Sequence, residues 1–217
     1  MSETQEKAIL EPFAAFPSTI YTIKKPEFLD KVLKASNQAL QVTKDNHKTN
    51  EVYPSVMSVS MSSNPEILDF EKFIAQSAWT ILDSQGYNMD SLVTYVNELW
   101  AQEHLKFSSM EQHVHPHGVM LSGFYFLEIP DEGCLAQFHD PRPGKVQASL
   151  PEKNMASVTE ASNGFFIKPE PGLFVISNSW LPHSFTRNGS DKSVKFVHFN
   201  ISVMPAPKTE TPAPMVV

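Results

Sequence analysis

A single cysteine, no run of lysine or arginine and no apolar stretch of bilayer length leave few classes open to this 217-residue chain. One thiol, Cys134, closes no intramolecular disulfide and builds no cysteine-based zinc site, and it suits a reducing compartment. Basic residues number 17 against 24 acidic ones, for a net charge of -7. With no basic stripe to track a phosphate backbone, nucleic acid is not an expected partner. The opening residues, Met-Ser-Glu-Thr-Gln-Glu-Lys, lack the basic and apolar regions of a signal peptide, so the expectation is a cytoplasmic protein with no membrane partner. Internal repeats are absent as well. What remains, 41% hydrophobic and 19% charged, is enough for one domain with a sizeable core.

Read in order, the chain changes character near residue 90. Residues 18–24 are β-branched and aromatic and predict a first strand. Phe28, Leu29, Val32, Leu33, Ala35, Ala39 and Leu40 approximate helical spacing and predict an amphipathic helix from Glu27 to about Val42, followed by a polar loop over 43–53. Asn64-Pro65-Glu66 is a helix start, with a cap candidate, proline at the first helical position and an acid in the first turn. That helix runs through Phe70, Phe73, Ile74, Ala78, Ile81 and Leu82 to a stop at Gly86. Beyond it the expected strands are 93–96, 100–107, 112–117, 121–129, 134–139, 165–168, 172–178 and 193–203, several of them separated by proline and glycine. About eight short strands after two helices predict a mostly β fold, a sandwich or jelly roll with helices packed on one sheet. Residues 1–204 form the expected single domain, with helical support at about 26–86. The proline-rich stretch 205–217 is expected to be a disordered tail.

Histidines mark the candidate site. His113, His115 and His117 fall on alternate residues just before the apolar run 121–127, and alternate residues of an extended strand point to one side. A further histidine, His183, follows the apolar run 172–178. A close pair plus one distant histidine returned by a β-fold is how a mononuclear non-haem iron site is built, because the metal must keep positions open for substrate and dioxygen. Asp140 competes for a ligand role; its other reading is a turn-initiating aspartate before Pro141. Cys134 reads as a small core residue, and Trp100 and Trp180 as packing anchors.

The order His-x-His-Pro, Leu-Ser-Gly-Phe-Tyr-Phe-Leu, Gly-Cys-Leu-Ala-Gln-Phe-His-Asp-Pro-Arg, Pro-Gly-Leu-Phe-Val-Ile-Ser-Asn-Ser-Trp-Leu-Pro-His and Phe-Asn-Ile resembles the 2-oxoglutarate- and Fe(II)-dependent oxygenases common in phages and marine bacteria. The likeness covers roughly residues 100–203. It implies a double-stranded β-helix, the jelly-roll or cupin-like barrel also found in prolyl hydroxylases, with Fe(II) and 2-oxoglutarate as cofactors and a small molecule or peptide as substrate. It carries the proximal pair onto His113 and His115 and the distal histidine onto His183. The wider superfamily has a carboxylate where His115 stands, so the third ligand is either His115 or Asp140. The superfamily also clamps the far carboxylate of 2-oxoglutarate with an arginine on the last strand and a tyrosine on the strand after the proximal motif. Val194 and Phe126 stand at those two positions here. Lys192, which shares strand parity with Val194, is the first substitute cation; Tyr125 and Arg187 are further candidates for cofactor binding, and Arg142 a weaker one. Two rival readings stay open, a three-histidine metal dioxygenase that does not use 2-oxoglutarate and a binding module whose site has decayed.

Overall fold

The computed structural model describes residues 11–46, 54–148 and 150–207. In chain order its elements are β1 (Ile20–Lys24), α1 (Leu29–Asn46), β2 (Ser55–Met57), α2 (Leu68–Ser84), β3 (Leu92–His104), β4 (Met110–His113), β5 (Leu121–Glu128), β6 (Ala136–His139), β7 (Gly164–Ile167), β8 (Leu173–Asn178), β9 (His183–Phe185) and β10 (Val194–Pro205). The strands form two antiparallel sheets, one ordered β1-β8-β5-β10-β3-β2 and the other β4-β9-β6-β7. This is the expected mostly β architecture, a double-stranded β-helix carrying two helices.

Both helices start where a proline dictates, and the second adds a side-chain cap. Pro26 opens a short 3-10 turn into α1, and the Asn64 side chain accepts from the Glu66 amide at 3.0 Å ahead of the turn that leads into α2. Each then buries one helical face: Val32, Ala35, Ser36 and Leu40 in α1, and Phe70, Ile74, Ala78, Ile81 and Leu82 in α2.

Those faces cover the outer side of the six-stranded sheet. Strand alternation sorts β5 so that Leu121, Tyr125 and Leu127 join the helices, while Phe124 and Phe126 face the barrel interior with Val175, Phe185, Val194 and Phe196. Gly123 belongs to the outer set, where a Cβ would stand 2.6 Å from both the Phe199 ring and the Val175 carbonyl oxygen. Only glycine lets β5 lie that close.

Several boundaries differ from the sequence reading. The two strands expected at 93–96 and 100–107 are one long β3, bulged opposite Asn200 and Ile201. A bulge breaks strict alternation, which makes one strand read as two. The strand expected at 112–117 ends at His113, so His115 and the exposed His117 sit on the loop that follows. Short strands β2 and β9 and the 3-10 helix Pro143–Ala148 carry too few residues to show a period. Pro205 is the last residue of β10, paired with Leu92, rather than the start of a tail; 208–217 lie outside the described residues. No helix among the described residues is long and apolar enough to cross a membrane.

Candidate metal centre

β4 and β9 are neighbours in the smaller sheet, and their register sets His113 directly opposite His183, with ring centroids 4.5 Å apart. His115 arrives from the loop, which is stitched to the segment after β8 by three bonds: His115 N donates to Ser179 O at 3.0 Å, Ser179 Oγ to Val119 O at 2.5 Å and Ser179 N to Met120 O at 3.1 Å. Gly118, at φ 92, makes the turn that lets the chain double back into β5. The outcome is one group. The ligand atoms of His113, His115 and His183 all lie within 4.8 Å of one another.

Protonation also suits a metal. The Nδ1–H of His113 donates to Glu111 O at 2.8 Å and that of His183 to Leu181 O at 2.9 Å. A carbonyl can only accept, so each bond leaves the Nε2 lone pair free for an ion. His115 Nε2 and His183 Nε2 are 3.2 Å apart. Nitrogens about 2.1 Å from a shared ion stand roughly 3.0 to 3.4 Å apart, depending on whether the angle is octahedral or tetrahedral. Burial brings the His183 imidazolium down to about 4, opposed by its bond to Leu181 and helped by His113 and His139. His115 falls to about 3, from burial first and then from His183 and His113. Both are therefore neutral donors at pH 7.

The other sequence candidates are placed elsewhere. Asp140 is turned to Arg142, whose Nε and Nη2 donate to its two oxygens at 2.9 and 2.7 Å, with Lys145 Nζ 3.4 Å away. The Arg142 guanidinium beside it holds this carboxyl well below the usual carboxylate range. The pair spends Arg142 as well, so neither group is brought to the histidines. Tyr125 points to the helical side, where its hydroxyl donates to Lys25 O at 2.7 Å and burial pushes the phenol up. Arg187 is exposed past β9, and Lys192 is exposed on the turn before β10. Lys192 stands six residues before His198, roughly 20 Å at strand rise, and Val194 and Phe196 fill the interior between them.

Sequence reasoning missed the wall beside the triad. His198 on β10 is 1% exposed, its ring is stacked on Trp100 at 4.3 Å and lies 4.9 Å from the His115 ring, and neither of its nitrogens has a hydrogen-bond partner among the described residues. Trp100 Nε1, Gln102 Oε1, Ser122 Oγ and Asn200 Oδ1 are likewise buried and unpartnered there. Strand alternation puts His198 and Asn200 on one side of β10. Which side faced the metal needed the cross-strand register, His198 to Trp100 and to Phe124. The three imidazoles fit a ferrous ion, and the donors among the unpartnered atoms, Trp100 Nε1–H, Ser122 Oγ–H and one His198 N–H, fit a hydrogen-bonding ligand such as an oxo acid, since a buried polar atom left unmatched is costly.

Comparison with known proteins agrees with this geometry. Residues 98–200 match the sequence model of a family described as "Putative 2OG-Fe(II) oxygenase". No curated protein matches the chain. Among solved structures it is similar to a Pseudomonas putida prolyl-4-hydroxylase, at 10% identity over 85% of this chain and 93% of that one, TM-score 0.58. It is similar to a prolyl hydroxylase from Trichoplax adhaerens in complex with a hypoxia inducible factor peptide fragment, at 11% identity over 84% and 83%, TM-score 0.55. The epimerase SnoN, in complex with Fe3+, alpha ketoglutarate and nogalamycin RO, gives 11% identity over 92% and 88%, TM-score 0.52. At such identities the structural likeness shows the fold, the double-stranded β-helix. The matched segment runs from β3 into β10 and spans all three clustered histidines. Fold, histidine triad and sequence match thus meet in one stretch: residues 98–200, which hold all three clustered histidines, match the model of a 2OG-Fe(II) oxygenase family.

Proposed function

We propose that the chain is an Fe(II)- and 2-oxoglutarate-dependent dioxygenase that hydroxylates a small-molecule or peptide substrate, with His113, His115 and His183 as the iron ligands. The observation that carries this reading is the triad itself: three imidazoles whose ligand atoms lie within 4.8 Å, two of them fixed in the metal-binding tautomer by backbone carbonyls. Iron with 2-oxoglutarate and dioxygen supplies the oxidising chemistry, and the protein supplies position and exclusion of water. Phe124 and Phe138 pack their rings 5.4 and 5.9 Å from that of His183 and keep solvent from its buried side. The loop bonds from Ser179 hold His115 in place. With His113, His115 and His183 as its protein ligands, a bound iron would keep positions open for other molecules. A peptide belongs in the substrate class because the T. adhaerens enzyme is seen with one.

Anaerobic titration with Fe(II) and then 2-oxoglutarate tests the reading. The expected result is a metal-to-ligand charge-transfer band, and succinate once air is admitted. The all-histidine ligand set favours one alternative, a metal dioxygenase that does not use 2-oxoglutarate; it would bind iron and give neither band nor succinate. A protein that bound no iron would be the decayed module.

A further inference from the structure

Of the three buried histidines the triad uses His183 and leaves His104 and His198; of these two, His198 is the one beside the triad, its ring 4.9 Å from that of His115. A fully buried imidazole with both nitrogens unmatched is destabilising, because each group has given up its bond to water for nothing. Its neighbours share the condition. His198 pairs across the sheet with Trp100, whose Nε1–H is unpartnered, and the next pair along β10 and β5 is Asn200 with Ser122, whose hydroxyl is also unpartnered. Three donors therefore occupy two adjoining rows of the interior wall, and the His198 ring touches the edge of the metal group through His115. Phe124 lies 5.2 Å from His198 and Phe196 and Phe126 close the barrel beyond it, while the neighbouring rows also carry the buried acceptors Gln102 Oε1 and Asn200 Oδ1, with Asn200 Nδ2 donating to Glu98. Lysine and arginine are missing from this wall among the described residues, since Lys192 and Arg187 are exposed and Arg142 is held by Asp140.

We propose that His198, braced by Trp100 and assisted by Trp100 Nε1 and Ser122 Oγ, receives the carboxylate of 2-oxoglutarate that does not bind the metal, in place of a lysine or arginine clamp. The inference rests on the oxygenase reading above. Position supports it: the wall begins where the triad ends, within reach of a five-carbon acid whose other end is on the ion. Chemistry supports it too, because several N–H and O–H donors can hold a carboxylate where no cation is present. An imidazole carries at least one N–H to offer such a ligand.

The test uses full-length protein loaded with Mn(II), or with Fe(II) under anaerobic conditions, and measures 2-oxoglutarate binding by calorimetry alongside metal content and thermal unfolding. His198→Phe keeps a ring against Trp100 and removes both nitrogens. It should weaken 2-oxoglutarate binding at least about tenfold, the scale of one lost charge-assisted hydrogen bond. Metal content should hold, and the metal-free protein should melt no lower than wild type, because an unmatched polar group has been replaced by an apolar one. His198→Gln, which restores a donor, should recover part of the affinity. Unchanged affinity in His198→Phe overturns the proposal, as does a tenfold loss in Lys192→Ala with none in His198→Phe. Loss of metal in His198→Phe also overturns it, by making His198 part of the metal site. A wild-type protein that binds metal but no 2-oxoglutarate overturns the oxygenase reading and this inference together, and so is told apart from failure of His198 alone.

Discussion

Acid should unfold the metal-free protein earlier than its carboxylates would, because its histidines are buried in the neutral form. His104 and His183 are 0% and 1% exposed, and burial brings each down to about 4 from an ordinary 6.5. The unfolded chain therefore holds more protons than the folded one between pH 6.5 and 4. Stability is complete above 6.5 and falls as the pH drops through that window. Each displacement is worth about 3 kcal/mol, so the two together remove on the order of 6 kcal/mol. That is comparable to the whole stability of a typical domain, about 5 to 15 kcal/mol. His115 and His198, also lowered by burial, act in the same direction. Urea unfolding in chelator at several pH values from 7.5 to 4.5 should show at least about two protons taken up on unfolding near pH 5. His104→Leu should reduce that number by about one. Stability that stayed flat across the window, or an uptake below one proton, would refute the buried-neutral account.

Three further outcomes follow from single contacts. Gly123→Ala should cost about 1 to 3 kcal/mol in denaturant unfolding, because the new Cβ would stand 2.6 Å from Phe199 and from a carbonyl of β8; a change under about 0.5 kcal/mol would mean the strands can part cheaply. Tyr125→Phe should cost about 1 kcal/mol by removing the bond to Lys25 O while leaving 2-oxoglutarate affinity within about twofold, and a larger loss of binding would return Tyr125 to the site. Asp140→Asn should leave iron affinity within about threefold, since its oxygens face Arg142 rather than the histidines; a tenfold loss would make it a ligand.

The helices and the triad were legible in the sequence for local reasons. Phe70, Ile74, Ala78 and Ile81 keep helical period, and Asn64-Pro65-Glu66 announces its start. His113 and His115 are two residues apart, so their convergence needed only an extended backbone, although the strand supplying it stops at His113 and backbone bonds to Ser179 complete the work. Long-range pairing was not legible. Nothing local says that His113 faces His183, or that Trp100 stacks on His198, because both follow from register between distant strands. Asp140 shows the same limit: its sequence context fits a turn somewhat better than a ligand, and the bidentate grip of Arg142 two residues on is a contact that context does not announce.

The proposed chemistry depends on one metal held by three imidazoles. X-ray absorption at the iron edge on anaerobically loaded protein, with iron content measured for His113→Ala, His115→Ala and His183→Ala, tests this most directly. The predicted result is one iron per chain, imidazole nitrogens at about 2.0 to 2.2 Å and loss of bound iron in each variant. Full iron content in any one of the three variants, or a first shell without imidazole, would contradict it.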